Sequence, residues 1–210
     1  MIRRRALLGV LASGAAMAAV PPGGRLAFSV LRNTTPVGEH VLEFTEVADG
    51  LDIRIAVDIV VRLGPIALFR YKLRGLEQWR GGQVVAASAD CDNNGREAFF
   101  RATRGPEGLR VQGSAVAPYV APDGALPATH WNPAEFDAPM VNPQDGTLMR
   151  PAVARFANEE LPLPDGRRIN ARRFALSGDV RMELWYDEAR RWSALRAPGR
   201  DGSTIHYNLN

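Results

Sequence analysis

The chain has 210 residues, 26 Lys and Arg, 23 Asp and Glu, and three His. A predicted N-terminal leader holds three of the arginines and no acid, so 23 basic and 23 acidic side chains remain beyond it. That balance excludes the net positive surface that nucleic-acid binding needs. The single cysteine, Cys91, excludes an intramolecular disulfide.

The first nineteen residues have the pattern of a secretory signal peptide. Arginines at 3–5 precede an apolar run at 6–20, and Ala16-Met17-Ala18 resembles a cleavage site. The arginine pair also fits a twin-arginine signal, and a retained anchor is the other interpretation. We expect a signal peptide over 1–19, a single domain over 20–210, a periplasmic or secreted location and no membrane span after cleavage.

The mature chain reads as strands separated by turns. Residues 51–63, L-D-I-R-I-A-V-D-I-V-V-R-L, alternate between two faces over more than ten positions, which is a strand period. Asn-Gly, Asp-Gly and Gly-Gly pairs between the segments suit tight hairpins. The pattern predicts an all-β antiparallel meander of about ten to eleven strands. The predicted strands are 26–31, 38–47, 51–63, 67–79, 84–90, 97–104, 109–113, 168–177, 180–187, 192–197 and 204–209.

So many strands in series do not stay soluble as a flat open sheet. We therefore expect the meander to curl into a barrel or half-barrel. The interruption at 116–151 is rich in proline and too long for a hairpin loop. Within it, Asn132 as N-cap and Pro133 at the first helical position predict one short helix. This insert is expected to cover one end or the concave face of the sheet.

The stretch D-C-D-N-N-G at 90–95 resembles the start of a calcium loop. Position 12 of such a loop requires a bidentate Glu, but this chain has Arg101 there, and the flanks read as strands rather than helices. The hairpin interpretation, with Asn94-Gly95 as a two-residue turn, explains every residue. We predict no metal site here. Cys91 lies between Asp90 and Asp92, which disfavours a thiolate nucleophile.

Candidate catalytic residues are few, and we assign none. His40 and His206 lie in predicted strands, where a structural role is the simpler interpretation. His130, in P-A-T-H-W-N-P at 127–133, lies in the insert, and loops on rigid scaffolds often carry function. No serine occupies a nucleophile elbow.

Large aromatic residues are more suggestive, although core packing is the simpler explanation for each. At strand period Trp185 and Tyr186 point to opposite faces, so only one of them is expected in the core. Some aromatic residues could instead line a pocket for an apolar ligand. The candidate ligand-binding residues are Trp79, His130, Trp131, Trp185 and Tyr186.

An ordered set of short motifs resembles a family of uncharacterised secreted bacterial proteins that carry a domain of unknown function. The resemblance covers nearly all of the mature chain and implies a secreted, mostly β protein with no assigned activity. By fold analogy, curved antiparallel half-barrels with a helix in the mouth are similar to carriers of lipids and lipoproteins. The motifs are D-N-N-G at 92–95, P-A-T-H-W-N-P at 127–133, N-P-Q-D-G at 142–146, L-W-Y-D at 184–187, Trp192, and D-G-S-T-I-H-Y-N-L at 201–209.

Three hypotheses of function follow. The first is a non-enzymatic periplasmic or secreted binding protein for an apolar or amphipathic ligand, such as a lipid, with no cofactor. The second is a structural or interaction protein of the cell envelope with a filled barrel and an unknown protein partner. The third is a hydrolase-type enzyme that uses His130, which a carboxylate or serine within hydrogen-bond reach of its ring would favour.

Overall fold

The computed structural model describes residues 20–199 and 201–210, so the predicted signal peptide lies outside the described residues. Two 3-10 segments, Pro22–Gly24 and Pro133–Asp137, accompany sixteen strands. No helix in the described ranges is long and apolar enough to cross a bilayer. The strands are β1 Arg25–Arg32, β2 Thr35–Val47, β3 Gly50–Leu63, β4 Ile66–Arg80, β5 Gln83–Asn93, β6 Arg96–Gly105, β7 Gly108–Gly113, β8 Val116–Val120, β9 Leu126–Pro127, β10 Met140–Val141, β11 Leu148–Met149, β12 Ala152–Pro162, β13 Arg168–Ser177, β14 Met182–Asp187, β15 Trp192–Pro198 and β16 Thr204–Leu209.

Thirteen of the strands form one antiparallel sheet, in the order β12-β13-β14-β15-β16-β1-β2-β3-β4-β5-β6-β7-β8. The chain enters the middle of this sheet at β1, extends to one edge at β8, and returns through the insert to the other edge at β12. Within the described residues the two edge strands do not pair with each other. The all-β antiparallel prediction is confirmed, and the closed-barrel alternative is wrong.

The predicted number of strands, ten to eleven, is also wrong. Three of the missed strands, β9, β10 and β11, are two-residue pairings in a small separate sheet within the insert. The other two are the edges of the main sheet. β8 and β12 bury almost no side chain completely, so their sequences lack the apolar alternation that marks a half-buried strand.

The contacts of the insert show that the main sheet is strongly curved. The Thr129 hydroxyl bonds to Glu77 of β4, and the carbonyl of the next residue, His130, accepts from Tyr186 of β14. Six strand spacings separate β4 from β14, which is roughly 29 Å across a flat sheet. Two adjacent residues can reach both strands only because the sheet wraps around them.

The concave face of the sheet is apolar, and the insert fills it. In β3, Leu51, Ile53, Ile55 and Val57 are all buried on this face, as their alternation predicts. Side chains of the insert complete the same core, including Trp131, Phe136, Met140 and Val141. The insert therefore lies over the concave face.

The predicted short helix is only a single 3-10 turn, Pro133–Asp137, and not an α-helix. The Asn132 side chain caps it by accepting from the Ala134 N–H at 3.1 Å. Pro139 restricts the backbone of Ala138, which is extended (φ −139°, ψ 162°), so the turn cannot continue.

The D-C-D-N-N-G stretch is a hairpin tip, as predicted. β5 and β6 pair through Asn93 and Arg96, and the turn residues Asn94 and Gly95 have φ of 57° and 83°. Both values belong to the left-handed region that a two-residue hairpin turn of this kind requires. Asp92 accepts the Gly95 N–H at 2.7 Å, so its carboxylate supports the turn.

Candidate functional site

A cluster of buried and half-buried polar side chains lies where the insert meets the sheet. We call Glu77, Thr129, His130, Trp131 and Glu135 the inner polar cluster. Glu77 belongs to β4, and the other four lie in or next to P-A-T-H-W-N-P. Glu77 and Glu135 are 2% and 1% exposed, which is rare for carboxylates unless they are well bonded.

Glu77 is bonded by three neutral donors. Its Oε2 accepts from the indole N–H groups of Trp79 at 2.7 Å and Trp131 at 3.0 Å, and its Oε1 accepts from the Thr129 hydroxyl at 2.6 Å. Burial raises the pKa of Glu77, and the three hydrogen bonds oppose that rise only in part. The arrangement holds two loop residues against β4.

Glu135 fixes the position of His130. Its Oε2 accepts the His130 backbone N–H at 3.1 Å, and its Oε1 lies 2.7 Å from His130 Nδ1. Because an ionised carboxylate only accepts, Nδ1 donates in this hydrogen bond, and Nε2 is the ring nitrogen that Glu135 does not engage. His130 has a φ of 68°, in the left-handed region, which a non-glycine residue adopts at a cost.

Tyr186 of β14 ties the same loop to the other side of the sheet. Its hydroxyl donates to the His130 carbonyl at 2.6 Å, while its ring packs edge-on against Phe136 and Phe174. Burial, and then the charge of Glu135, raise the pKa of Tyr186 well above its usual value. The phenol is therefore a neutral donor.

His40 of β2 lies beside this cluster without a polar partner. Its ring centroid is 5.3 Å from that of Trp192 and 5.6 Å from that of Tyr207, and both of its ring nitrogens are buried without a hydrogen bond from the described residues. Burial, and then the charge of His130, lower the pKa of His40 to about 3. The ring is neutral at ordinary pH.

Of the five candidate ligand-binding residues, the structure brings four together. His130 and Trp131 belong to the inner polar cluster, and Trp79 and Tyr186 hydrogen-bond to it. Trp185 lies on the opposite, outer face, where its indole donates to Glu159 of β12 at 2.6 Å. The two side chains point to opposite faces, as expected, and only Tyr186 joins the concave core, although Trp185 is also buried, at 7% exposed against 2%.

Trp185 is buried because it lies in a groove on the outer face, which we call the outer groove. One section, of about 230 Å³, is lined by the end of β12, the β12–β13 turn, β14, β15 and β16. A second section, of about 560 Å³, continues toward the β13–β14 turn, and Arg196 lines both. The side chains that matter below are Leu161, Leu163, Trp185, Arg196 and His206.

Comparison with known proteins assigns the family. A family model described as "Domain of unknown function (DUF6134)" matches residues 28–210. The chain belongs to this DUF6134 family. The resemblance to a family with a domain of unknown function is thereby confirmed. No match is found among curated proteins.

One solved structure is similar to this DUF6134 chain over nearly its whole length. It is a beta-barrel-like protein of domain of unknown function DUF1849 from Brucella abortus, with a TM-score of 0.64 and 10% identity. The match covers 93% of this chain and 98% of that chain. At such low identity the likeness shows the fold alone, and it agrees with a curved, barrel-like sheet.

The inner polar cluster offers a positioned imidazole but no paired nucleophile. The Glu135 carboxylate, 2.7 Å from His130 Nδ1, meets the condition that favours the hydrolase hypothesis, yet within the described residues no hydroxyl or thiol hydrogen-bonds to the His130 ring. Cys91 is buried, and burial raises the pKa of its thiol. The described residues contain no group of three or more His, Cys, Asp and Glu side chains placed to hold a metal ion. The hydrolase hypothesis stays a prediction.

Sequence reasoning missed Glu77 and Glu135. For Glu77 a signal exists, because Leu73, Gly75, Glu77 and Trp79 share one strand face, and a lone carboxylate on an apolar face points to a buried, bonded acid. The sequence signal for Glu135 is weaker, since an acid in a first helical turn is ordinarily solvent-exposed.

Proposed function

We propose that this protein is an exported, non-enzymatic binding protein that holds an apolar or amphipathic ligand in the outer groove. The single observation that carries the proposal is the groove itself, a depression with apolar and polar lining beside a buried tryptophan on the outer face of an antiparallel sheet. The outer face of such a sheet is ordinarily polar and flat. Export is supported by the leader pattern at 1–19.

The concave interior is the less suitable place for a ligand. There the insert supplies the filling, and the polar groups of Trp79, Trp131 and Tyr186 are already bonded within the protein. A ligand that entered would have to displace the insert from the core. This moves the expected binding site from the four inner candidates to the fifth, Trp185.

The lining of the outer groove suits a ligand with a long apolar part and a polar end. Leu161 and Leu163, from the end of β12 and the β12–β13 turn, face strands that present Trp185 and Ala194. Arg196 and His206 provide polar groups between the two sections. Arg196 lies 5.7 Å from the Trp185 ring and pairs with Glu183, so its guanidinium has a fixed position. Apolar walls with a few placed polar groups are typical of small-molecule sites.

The first test is native mass spectrometry of the protein expressed with its leader, followed by denaturation and identification of any released molecule. We expect a bound lipid-like molecule on a chain that begins near residue 20. A chain that carries no ligand and takes up no fatty-acid probe contradicts the proposal.

Leu163→Arg places a charge in the apolar wall and should weaken binding of a fluorescent fatty-acid probe by at least tenfold, since desolvating a guanidinium opposes ligand entry. Val120→Arg is the matched control, because Val120 is 41% exposed on the distant edge strand β8. Equal binding by both variants would remove the outer groove as the site.

A further inference from the structure

The β3–β4 hairpin extends beyond the sheet as an unpaired ribbon. The pairing of β2 with β3 ends at Gly38 and Ile59, and that of β4 with β5 ends at Tyr71 and Asn93. Residues 60–70, which we call the β3–β4 tip, have strand partners only within the hairpin, and only Arg70 at its base is bonded outside it, to Asn94 of the β5–β6 turn. Four to five residues on each strand of the tip therefore lie beyond the last pairing with β2 and β5.

This ribbon is apolar where solvent is expected to favour polar residues. Its sequence is V-V-R-L-G-P-I-A-L-F-R. Leu63, Ile66 and Leu68 are 68%, 61% and 56% exposed, the three highest values among the large apolar side chains of the described residues. An isolated two-stranded hairpin is marginally stable in water, and grouped exposed apolar residues mark an interaction surface.

The charges within the tip have one sign. No Asp or Glu occurs from position 60 to 70, whereas Arg62 and Arg70 are exposed. Within the described residues neither of these two cations forms a salt bridge, in contrast to Arg74, which pairs with Asp58. Lys72, just behind the tip, lies opposite Asp58 and Asp92 on its two neighbouring strands. An apolar end flanked by free cations is complementary to a bilayer, because the leucines enter the acyl region while the cations meet anionic headgroups.

We infer that the β3–β4 tip binds the surface of an anionic lipid bilayer. The inference does not depend on the outer groove, because the tip belongs to other strands and would bind vesicles whether or not the groove holds a ligand. The positions of the tip and of the outer groove are nevertheless compatible with both lying near one membrane surface. The β13–β14 turn beside the second groove section lies at the same end of the antiparallel sheet as the β3–β4 turn.

The test is co-flotation of the mature protein with vesicles of phosphatidylcholine alone or of phosphatidylcholine mixed with phosphatidylglycerol. We expect binding to the mixed vesicles only, falling as salt is raised, since exposed charges are screened. The double variant Leu63→Glu, Ile66→Glu should lose binding. Reversal of Arg62 and Arg70 to Glu should reduce it by more than tenfold, on the order of fivefold for each cation.

Val120→Glu and Phe156→Glu are the matched controls, because both residues are exposed apolar side chains elsewhere, at 41% and 38%. They should bind vesicles as the wild type does, and all variants should share its thermal midpoint, since every substituted side chain is exposed. Three results would overturn the inference: no binding to mixed vesicles, equal binding to neutral vesicles, or retained binding by the Leu63→Glu, Ile66→Glu variant. A wild-type dimer that this variant converts to monomer would also overturn it, by showing that a second copy covers the tip.

Discussion

At the scale of the residue, the most informative position is Glu77, a carboxylate buried against three neutral donors. Its pKa is raised above the ordinary value of 4.5, so the folded state keeps a proton that the unfolded chain releases. Stability attributable to Glu77 is therefore present at low pH and is lost as pH rises from about 4.5 through the raised folded pKa.

Substitutions of Glu77 separate charge from hydrogen bonding. Glu77→Gln should flatten the loss of stability above pH 4.5, because its oxygen accepts from both indoles while its amide donates to the Thr129 hydroxyl. Glu77→Leu should cost about 2–4 kcal/mol near pH 4.5, since it leaves three buried donors unpaired, and the cost should shrink as pH rises because the titrating acid is gone. Denaturant titrations between pH 4.5 and 8 measure both. A Glu77→Gln variant with the same pH slope as the wild type would contradict the assignment.

His40 gives a second residue-scale prediction, in which stability changes with pH in the direction opposite to that for Glu77. Its pKa is lowered to about 3 in the folded state, against 6.5 for an ordinary histidine, so the unfolded chain takes up a proton first. Stability should then fall by about 1.4 kcal/mol for each pH unit below 6.5, until the pH nears 3. His40→Leu should remove that slope while keeping the apolar packing against Trp192. Urea midpoints from pH 4 to 7 test this, and an unchanged slope in the variant would mean that another group titrates.

At the scale of the element, strands were predictable where they are half-buried and not where they form edges. Residues 51–63 alternate because β3 lies inside the sheet with one face on the core, whereas β8 and β12 have a neighbour on one side only and bury little. The place of the insert could also be inferred, since a long proline-rich segment must cover something. Its 3-10 turn was correctly placed by Asn132 and Pro133 but is too short to be an α-helix.

The candidate site likewise contains residues that could be predicted from the sequence and residues that could not. Aromatic residues could be selected from their size, and four of the five converge because Trp79 and Tyr186 share the concave face and the loop at 129–131 spans it. The acids that organise them were missed, because a charged residue in a single sequence is assigned to solvent unless its partner is known. Trp185 shows the converse, since its burial depends on contact with the distant strand β12 through Glu159.

At the scale of the whole molecule, an open curved sheet should differ from a closed barrel in how strongly each strand protects its amide hydrogens from exchange. The middle strands β1 to β4 are paired on both sides over the concave core, whereas β8 and β12 each have one neighbour and expose the other row of backbone groups. Amide hydrogens opened by local fluctuation exchange faster than those that need global unfolding.

We therefore expect hydrogen exchange to be slowest in β1 to β4 and to become faster outward along the sheet to both β8 and β12. The insert should not show the fast exchange that its irregular backbone would suggest. Residues 128–137 should exchange as slowly as the middle strands, because Glu77 and Tyr186 hold them from opposite sides of the sheet. Peptide-resolved exchange measured by mass spectrometry tests both expectations, with the β3–β4 tip as an internal fast reference. Uniform protection around all thirteen strands would instead require that the edges meet and the sheet close, while fast exchange in the insert would mean that the concave face opens and could admit a ligand after all.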